Sequence, residues 1–245
     1  MSKADAARAP ERHDLVWPSA SGWRQLLDQV AVGDRAAIAR WQQADWPAVV
    51  RRHDPADAGA NAAASDKIYL GIALPPDAVD GCKCRIALSI NKALVRTLRA
   101  PLALNDVIAT APPRWRADLQ GLADGASTEE IALRVYGSLA LQTLTGQTYL
   151  TDRSDIDILF APNSRKQLEV GITLLSDFAR NLPLDGEIRF PDGQAVAWKE
   201  WINTVGAASA VAAQRNLRAR VLAKSLQRVQ LQPPAKLLAS LELTP

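Results

Sequence analysis

One segment constrains the fold more than any other: residues 134–162, which read RVYGSLALQTLTGQTYLTDRSDIDILFAP. The apolar residues 133–136 have the composition of a short strand, and a glycine-serine pair separates them from a helix-like stretch ending near Gly146. A second apolar run then begins with two aspartates, Asp155 and Asp157. This order predicts a strand, a tight turn, a helix and another strand, as found in a mixed α/β sheet.

The two aspartates are unusual in an apolar strand. Side chains two residues apart lie on the same face of a strand, roughly 7 Å apart, so Asp155 and Asp157 share a face. Ile156, Ile158 and Phe160 alternate with them and are expected to face a core. Neighbouring carboxylates repel each other, and a divalent cation between them reverses that repulsion. Because Mg²⁺ binds carboxylates together with substrate phosphates, the pair predicts a metal and nucleotide site.

The pair Gly137-Ser138 has the chemistry of a phosphate-binding turn. It follows a strand-like run and precedes a helix-like one. Glycine lets the backbone approach a phosphate, the serine hydroxyl is a donor, and a helix N-terminus presents unpaired N–H groups. Gly137 and Ser138 are therefore candidate substrate-binding residues, beside the metal-binding aspartates.

The rest of the chain predicts an α+β organisation in two domains. In the first half the pattern favours a strand near residues 13–17, two short helices around Gly33, a strand pair at residues 67–90, and a helix over 91–100. Pro112 and Pro113 suggest a boundary, giving a smaller α+β domain over 1–111 and a mixed sheet with helices over 112–245.

In the second half, helices are expected near residues 117–123 and over 164–181, and strands over 184–190 and 195–201. Ser127 and Glu130 have the spacing of a capping box, which marks the start of a helix. Residues 207–232 are expected to be helical, like the rest of the C-terminus.

Composition narrows the class of protein. Apolar residues make up 48% of the 245 residues and charged residues 22%, as in folded globular proteins. The net charge of +3 and pI near 9.0 suit an anionic ligand or partner. Cys82 and Cys84 have no second ligand pair at zinc-site spacing. We find neither a signal peptide nor a membrane span and expect a soluble, cytoplasmic protein without a membrane partner.

The order of these motifs resembles the nucleotidyltransferase superfamily that includes DNA polymerase beta and the aminoglycoside nucleotidyltransferases. The longer string from Gly137 to Asp157 is similar to the phosphoribosyl-dephospho-CoA transferases of malonate decarboxylase, its holo-acyl-carrier-protein synthases. The shared elements in that string are Gly137-Ser138, Gln142, Thr145-Gly146, Tyr149-Leu150 and Ser154-Asp155-Ile156-Asp157. Matching elements outside it are His13-Asp14-Leu15-Val16-Trp17, Trp46-Pro47, Asp185-Gly186-Glu187 and Ala197-Trp198-Lys199-Glu200. Leu141 departs from the family, where we expect an aromatic residue.

The resemblance implies a function and a set of site residues. The prosthetic group of triphosphoribosyl-dephospho-CoA would be transferred to a serine of the apo acyl carrier subunit of malonate decarboxylase, releasing pyrophosphate. Asp155, Asp157 and a third carboxylate on a neighbouring strand would be catalytic and would bind Mg²⁺ or Mn²⁺. Asp185 and Glu187 are both candidates for the third; we favour Glu187 because it lies inside the apolar strand. Ser154, in the Ser-Asp-x-Asp motif, would help bind substrate.

Several alternatives stay open. The main motif is equally compatible with another metal-dependent nucleotidyltransferase acting on a small molecule or protein, or with a non-catalytic carrier-binding module. The N-terminal domain is expected to recognise substrate or carrier. Between residues 207 and 232 there are basic residues and no acidic ones, which suits the donor's phosphates, an acidic carrier or a solvated helix face; these are Arg215, Arg218, Arg220, Lys224 and Arg228. Nucleic acid is not an expected partner, because we see no aromatic base-stacking platform.

Overall fold

The structure is a computed structural model that describes residues 8–53, 66–77, 81–206 and 219–242. The chain divides into two compact units, Met1–Pro101 and Leu102–Pro245. This division, between residues 101 and 102, lies earlier in the chain than the boundary between residues 111 and 112 that Pro112 and Pro113 suggested. Pro113 instead begins a helix, because proline is well tolerated in a helix's first turn, where its missing N–H is not needed.

The first unit contains an antiparallel sheet with strand order β4-β3-β2-β1-β5. Its described strands and α-helices are β1 (Leu15–Pro18), α1 (Ala20–Gln29), α2 (Arg35–Gln43), β2 (Ala48–Val50), β3 (Lys67–Ala73), β4 (Arg85–Asn91) and β5 (Val95–Arg99). The two predicted helices on either side of Gly33 and the antiparallel strand pair β3–β4 are confirmed. Ser19 caps α1 by accepting the N–H of Gly22 at 3.1 Å.

The helix predicted for residues 91–100 is wrong. After a short 3₁₀ turn, Val95–Arg99 forms β5, which pairs with β1 in the register Trp17 to Thr97 and Leu15 to Arg99. The apolar spacing here fits either structure, and the β-branched Val95 and Thr97 favour a strand once an edge of β1 is available.

The second unit contains a mixed sheet, as predicted, with strand order β12-β11-β10-β9-β8-β7-β6. Its described strands and α-helices are β6 (Leu102–Ala103), α3 (Leu104–Val107), α4 (Pro113–Thr128), β7 (Leu133–Tyr136), α5 (Gly137–Thr145), β8 (Ile156–Phe160), α6 (Arg165–Phe178), β9 (Leu184–Arg189), β10 (Ala195–Ala197), α7 (Trp198–Val205), β11 (Val221–Lys224), β12 (Val229–Gln232) and α8 (Pro234–Ser240). Strands β8 and β9 are parallel, and the other neighbouring strands are antiparallel.

One face of this sheet forms the core. Ile156, Ile158 and Phe160 are at most 1% exposed, which confirms their predicted direction. Helix α6 packs so closely on β8 that a methyl group added at Gly171 would overlap the ring of Phe160. The alternate residues of β8 and β9, including Asp157, therefore lie on the opposite face.

Three predictions for the second unit need correction: the helix start at Ser127, the strand over 195–201 and the helix over the described part of residues 207–232. Ser127 and Glu130 lie at the C-terminal end of α4 and just beyond it, so their spacing does not mark a helix start. The strand expected over 195–201 stops at Ala197, where α7 begins.

Residues 221–232 form the antiparallel hairpin β11–β12 rather than a helix, because Val221 and Val229 can extend the sheet beyond β10. Arg220, Lys224 and Arg228 therefore do not share a helix face. The predictions for Arg215 and Arg218 lie outside the described residues. Among the described helices, none is long and apolar enough to cross a bilayer.

Candidate active site

The turn between β7 and α5 holds the carboxylate of Asp157 against the start of the helix. Gly137 begins α5 with φ +69°, a conformation that side-chain-bearing residues rarely adopt. A Cβ built on Gly137 would overlap Oδ2 of Asp157 and stand 2.9 Å from its Cγ. Glycine is required here for two separate reasons: the left-handed backbone and the space that Asp157 occupies.

The register of the sheet brings a further carboxylate beside Asp157. Asp157 pairs with Tyr136 of β7 on one side and with Asp185 of the parallel strand β9 on the other. Directly paired residues share a face, with neighbouring strands about 4.8 Å apart. Asp155 is exposed and comes immediately before β8. Two carboxylates therefore lie on adjacent strands, with a third immediately before β8.

Glu187 has different neighbours. It lies opposite Leu159, one pair farther along β9 than Asp185, and is only 5% exposed. Lys224 of β11 places its Nζ 3.4 Å from Glu187 Oε1. The two candidates for a third carboxylate are thus distinguished by register, with Asp185 next to Asp157 and Glu187 beside a lysine.

Asp185 also faces a cation, but in a more solvated setting. Lys199 Nζ lies 4.0 Å from Asp185 Oδ1, and both side chains are roughly half exposed, at 52% and 42%. Exposed pairs of this kind contribute little to stability because water and salt screen them. Asp185 is therefore more accessible than Glu187 to a ligand from solvent.

Ser154 stabilises the turn that precedes Asp155 and β8. It is buried, and its Oγ accepts the N–H of Thr151 at 2.9 Å while lying 3.2 Å from the hydroxyl of the same residue. The Ser154 N–H in turn donates to the carbonyl of Thr151 at 3.0 Å. These bonds close the turn that leads into Asp155. Ser138 lies half-buried in the first turn of α5, directly after Gly137.

Gln142 holds the connection between α5 and β8, a role that the sequence analysis did not identify. Its Oε1 accepts the backbone N–H groups of Tyr149 and Leu150, each at 3.2 Å, and its Nε2 donates to the carbonyl of Thr110 at 3.0 Å. Gln142 and Tyr149-Leu150 are among the elements that the chain shares with the family. That shared spacing is the signal that could have suggested a contact between them. One amide side chain thus joins α5, the connection that follows it and the segment at Thr110.

The same connection contains a buried tyrosine. Tyr149 is 2% exposed, and its burial raises the pKa of the phenol well above its ordinary value, although a side-chain hydrogen bond with Thr145 lowers it. The Thr145 hydroxyl also accepts the N–H of Gln147 at 3.2 Å. This phenol stays protonated at neutral pH and helps to pack the connection.

A separate cavity of about 590 Å³ lies between α4 and α6, on the helical side of the unit. It is lined in part by Glu129, Glu169 and Asp177. The residues that line it include no positively charged side chain and no glycine-serine turn at a helix start. The cavity therefore lacks the donor groups that would bind a phosphate.

Comparison with known proteins decides the family. Residues 11–101 match the N-terminal domain, and residues 101–235 the C-terminal domain, of the phosphoribosyl-dephospho-CoA transferase MdcG. The chain belongs to the phosphoribosyl-dephospho-CoA transferase family. The two matched domains meet at residue 101, where the structure also divides. No solved structure matches the chain.

Curated relatives cover most of the chain. A phosphoribosyl-dephospho-CoA transferase of Bradyrhizobium diazoefficiens is 39% identical over 198 residues, which is 79% of this chain and 82% of the relative. One of Xanthomonas campestris pv. campestris is 36% identical over 218 residues, covering 87% and 94% respectively. One of Xanthomonas axonopodis pv. citri is 34% identical over 216 residues, with the same coverage. The resemblance that the motifs suggested is thereby confirmed at the level of the family.

Proposed function

We propose that this chain transfers the phosphoribosyl-dephospho-CoA group from its triphosphate precursor to a serine of the apo acyl carrier subunit of malonate decarboxylase, releasing pyrophosphate. Membership of the transferase family supports the group that is transferred. The observation that carries the reaction type is the carboxylate of Asp157 packed against Gly137 at the start of α5, with Asp185 beside it. This arrangement supports a phosphoryl-transfer site of the nucleotidyltransferase kind.

The residues present fit a divalent cation. Mg²⁺ is usually bound by one or two protein carboxylates together with substrate phosphates and water. Within the described ranges no group of three or more His, Cys, Asp or Glu side chains is close enough to enclose a metal by itself. Asp155 and Asp157 would hold Mg²⁺ or Mn²⁺ together with phosphate oxygens of the donor, and either Asp185 or Glu187 would add a third carboxylate only in the loaded site.

A bound cation would acidify the acceptor serine hydroxyl and neutralise charge on the departing pyrophosphate. The protein's own groups would position the phosphates of the donor. The first N–H groups of α5 and the Ser138 hydroxyl can donate to phosphate oxygens, and the helix dipole favours negative charge there. Because Gly137 has no side chain, the carboxylate of Asp157 can lie against this backbone, beside a phosphate bound at the helix start. The serine oxygen would attack the α-phosphorus, and the bond to the pyrophosphate oxygen would break in line with it.

Pyrophosphate release tests this reaction. We expect the enzyme, with Mg²⁺ and the triphosphoribosyl-dephospho-CoA donor, to release one pyrophosphate for each apo carrier subunit added and none when the acceptor serine is replaced by alanine. Release from nucleoside triphosphates without a carrier would instead indicate a different nucleotidyltransferase. Carrier binding with no release from any triphosphate would indicate a non-catalytic module.

The identity of the third carboxylate can be tested separately. Asp185→Asn and Glu187→Gln keep the shape of each side chain and remove its charge. Register and exposure lead us to expect the larger rise in the Mg²⁺ concentration needed for half-maximal rate from Asp185→Asn. A larger rise from Glu187→Gln would support the assignment made from the sequence.

A further inference from the structure

The hairpin β11–β12 continues the face of the sheet that carries the carboxylates. Glu187 pairs with Ala197 of β10, and Ala195 of the same strand pairs with Lys224 of β11. Because directly paired residues share a face and the face repeats every second residue, Lys224 and Leu222 lie on the same side as Glu187. The ion pair between Lys224 and Glu187 agrees with this direction.

This face ends in an exposed apolar patch. Leu222 pairs with Leu231, and Lys224 pairs with Val229, so the two residues of β12 lie on the carboxylate side. Leu231 is 67% exposed and Val229 is 38% exposed. Strand β12 is also at the edge of the sheet, with β11 as its neighbour. We call Leu222, Val229 and Leu231 the hairpin patch.

Positive charge flanks the hairpin patch at both ends. Arg220 lies two residues before Leu222, on the same side of the hairpin, and Arg228 lies in the loop that joins β11 to β12; both are exposed. From residue 219 to 241 the chain contains no acidic residue. An apolar centre flanked by arginines complements a protein surface that carries carboxylates around an apolar side chain.

We propose that the hairpin patch, with Arg220 and Arg228, docks the acceptor protein through such an acidic surface. The proposal rests on the transfer reaction proposed above. Four strand spacings separate β8, which carries Asp157, from β12, about 19 Å in all. A protein interface of standard size covers about 800 Å² on each partner and is therefore roughly 30 Å across. An acceptor whose serine lies at the carboxylates, off the centre of its contact surface, would also reach the hairpin.

The chemistry favours a protein over the donor at this patch. Polyphosphate recognition needs donors and positive charge but gains nothing from exposed leucine and valine side chains. Branched apolar side chains beside arginine are typical of protein interfaces, where their burial provides affinity and the arginines provide orientation. The described hairpin residues include no aromatic side chain on which a base could stack.

Two substitutions test this docking surface. Leu231→Ser removes the apolar contact, and Arg228→Glu reverses a charge; both side chains are exposed, so folding should be unaffected. The matched control is Arg180→Glu, whose side chain is 79% exposed just after α6, on the other side of the unit. Binding is measured by titrating each enzyme with an apo carrier subunit whose acceptor serine is alanine, so that docking is separated from transfer. Steady-state rates with the normal carrier are measured in parallel.

We expect each hairpin substitution to weaken carrier binding and raise the KM for the carrier at least about fivefold, equivalent to about 1 kcal/mol, the usual threshold for an important interface contact. The KM for the donor and the rate at saturating carrier should stay within twofold of the unmodified enzyme, as should every value for Arg180→Glu. If the hairpin variants are active and their carrier binding and KM for the carrier are unchanged, the docking surface is overturned. The proposed transfer reaction would then still stand. A raised donor KM with unchanged carrier binding would assign the patch to the donor and also overturn the proposal. An unmodified enzyme that neither binds nor modifies the carrier would overturn both proposals.

Discussion

Replacing Gly137 by alanine tests whether the position of Asp157 depends on the turn before α5. The added methyl group would overlap Oδ2 of Asp157 and stand 2.9 Å from its Cγ, whereas ordinary contact begins at 3.4 Å. The carboxylate must therefore move by at least about half an ångström, unless the helix start moves instead. Gly146 provides a matched control, because it has nearly the same backbone, φ +68° against φ +69°, and an added methyl there meets nothing within 4 Å.

The two variants share one cost and differ in another. A residue with a Cβ in the left-handed region costs about 1–2 kcal/mol, partly offset because alanine has less freedom than glycine in the unfolded chain. Both variants should therefore lose about 1 kcal/mol of unfolding free energy from the backbone conformation, and Gly137→Ala should lose more through the overlap with Asp157. For Gly137→Ala we also expect kcat to fall about tenfold or more, since a 1 Å displacement of a catalytic group can cost about a hundredfold.

The comparison requires two measurements on each variant. Urea denaturation gives the unfolding free energy, and the rate of carrier modification at saturating donor and Mg²⁺ gives kcat. We expect Gly146→Ala to keep its kcat within about twofold, because its added methyl group displaces no neighbour. Equal rates for the two variants would refute the reasoning, since they would show that the space beside Gly137 is not needed to position Asp157.

Three further substitutions test the connection and the core. Gln142→Leu should lower the unfolding free energy by about 2 kcal/mol or more, because it removes three hydrogen bonds and leaves two backbone N–H groups without their acceptor. Hydrogen exchange of those two amides should accelerate. Unchanged exchange would contradict this role of Gln142. Above about pH 10 the phenol of Tyr149 ionises in the unfolded chain but not when buried, so stability should fall as pH rises; Tyr149→Phe should flatten that slope in denaturation at pH 9–11, and equal slopes would be evidence against it. Gly171→Ala should cost about 1–3 kcal/mol through overlap with Phe160, whereas Gly33→Ala, which meets open space, should cost less; a similar loss of thermal stability in both would argue against close packing there.

The sequence predicts best where the signals are local. The alternation of Ile156, Ile158 and Phe160 with polar neighbours identifies the core side of β8, because side-chain direction in a strand repeats every two residues. Gly137 marks the turn between β7 and α5, because few residues other than glycine adopt its backbone conformation. These signals are sufficient to find the order of elements around the candidate site.

The errors arise where distant segments decide the structure. Residues 95–99 and 221–232 have apolar spacings compatible with either a helix or a strand, and they become strands because β1 and β10 offer edges to pair with. The neighbours of Asp157 also depend on distant segments. Sequence context favours Glu187 as the third carboxylate, which stays a prediction, whereas the register of β8 on β9 shows that Asp185 is the residue adjacent to Asp157.

The most direct test of the proposed reaction is the intact mass of the carrier. The enzyme, Mg²⁺, the triphosphoribosyl-dephospho-CoA donor and the apo acyl carrier subunit are mixed, with an Asp155→Ala, Asp157→Ala double variant run beside them. We expect the carrier to gain the mass of the donor minus pyrophosphate with the unmodified enzyme, and to gain nothing with the folded double variant. No gain with the unmodified enzyme and a competent carrier would contradict the proposed transfer. An equal gain with the double variant would contradict the assignment of the reaction to these two carboxylates.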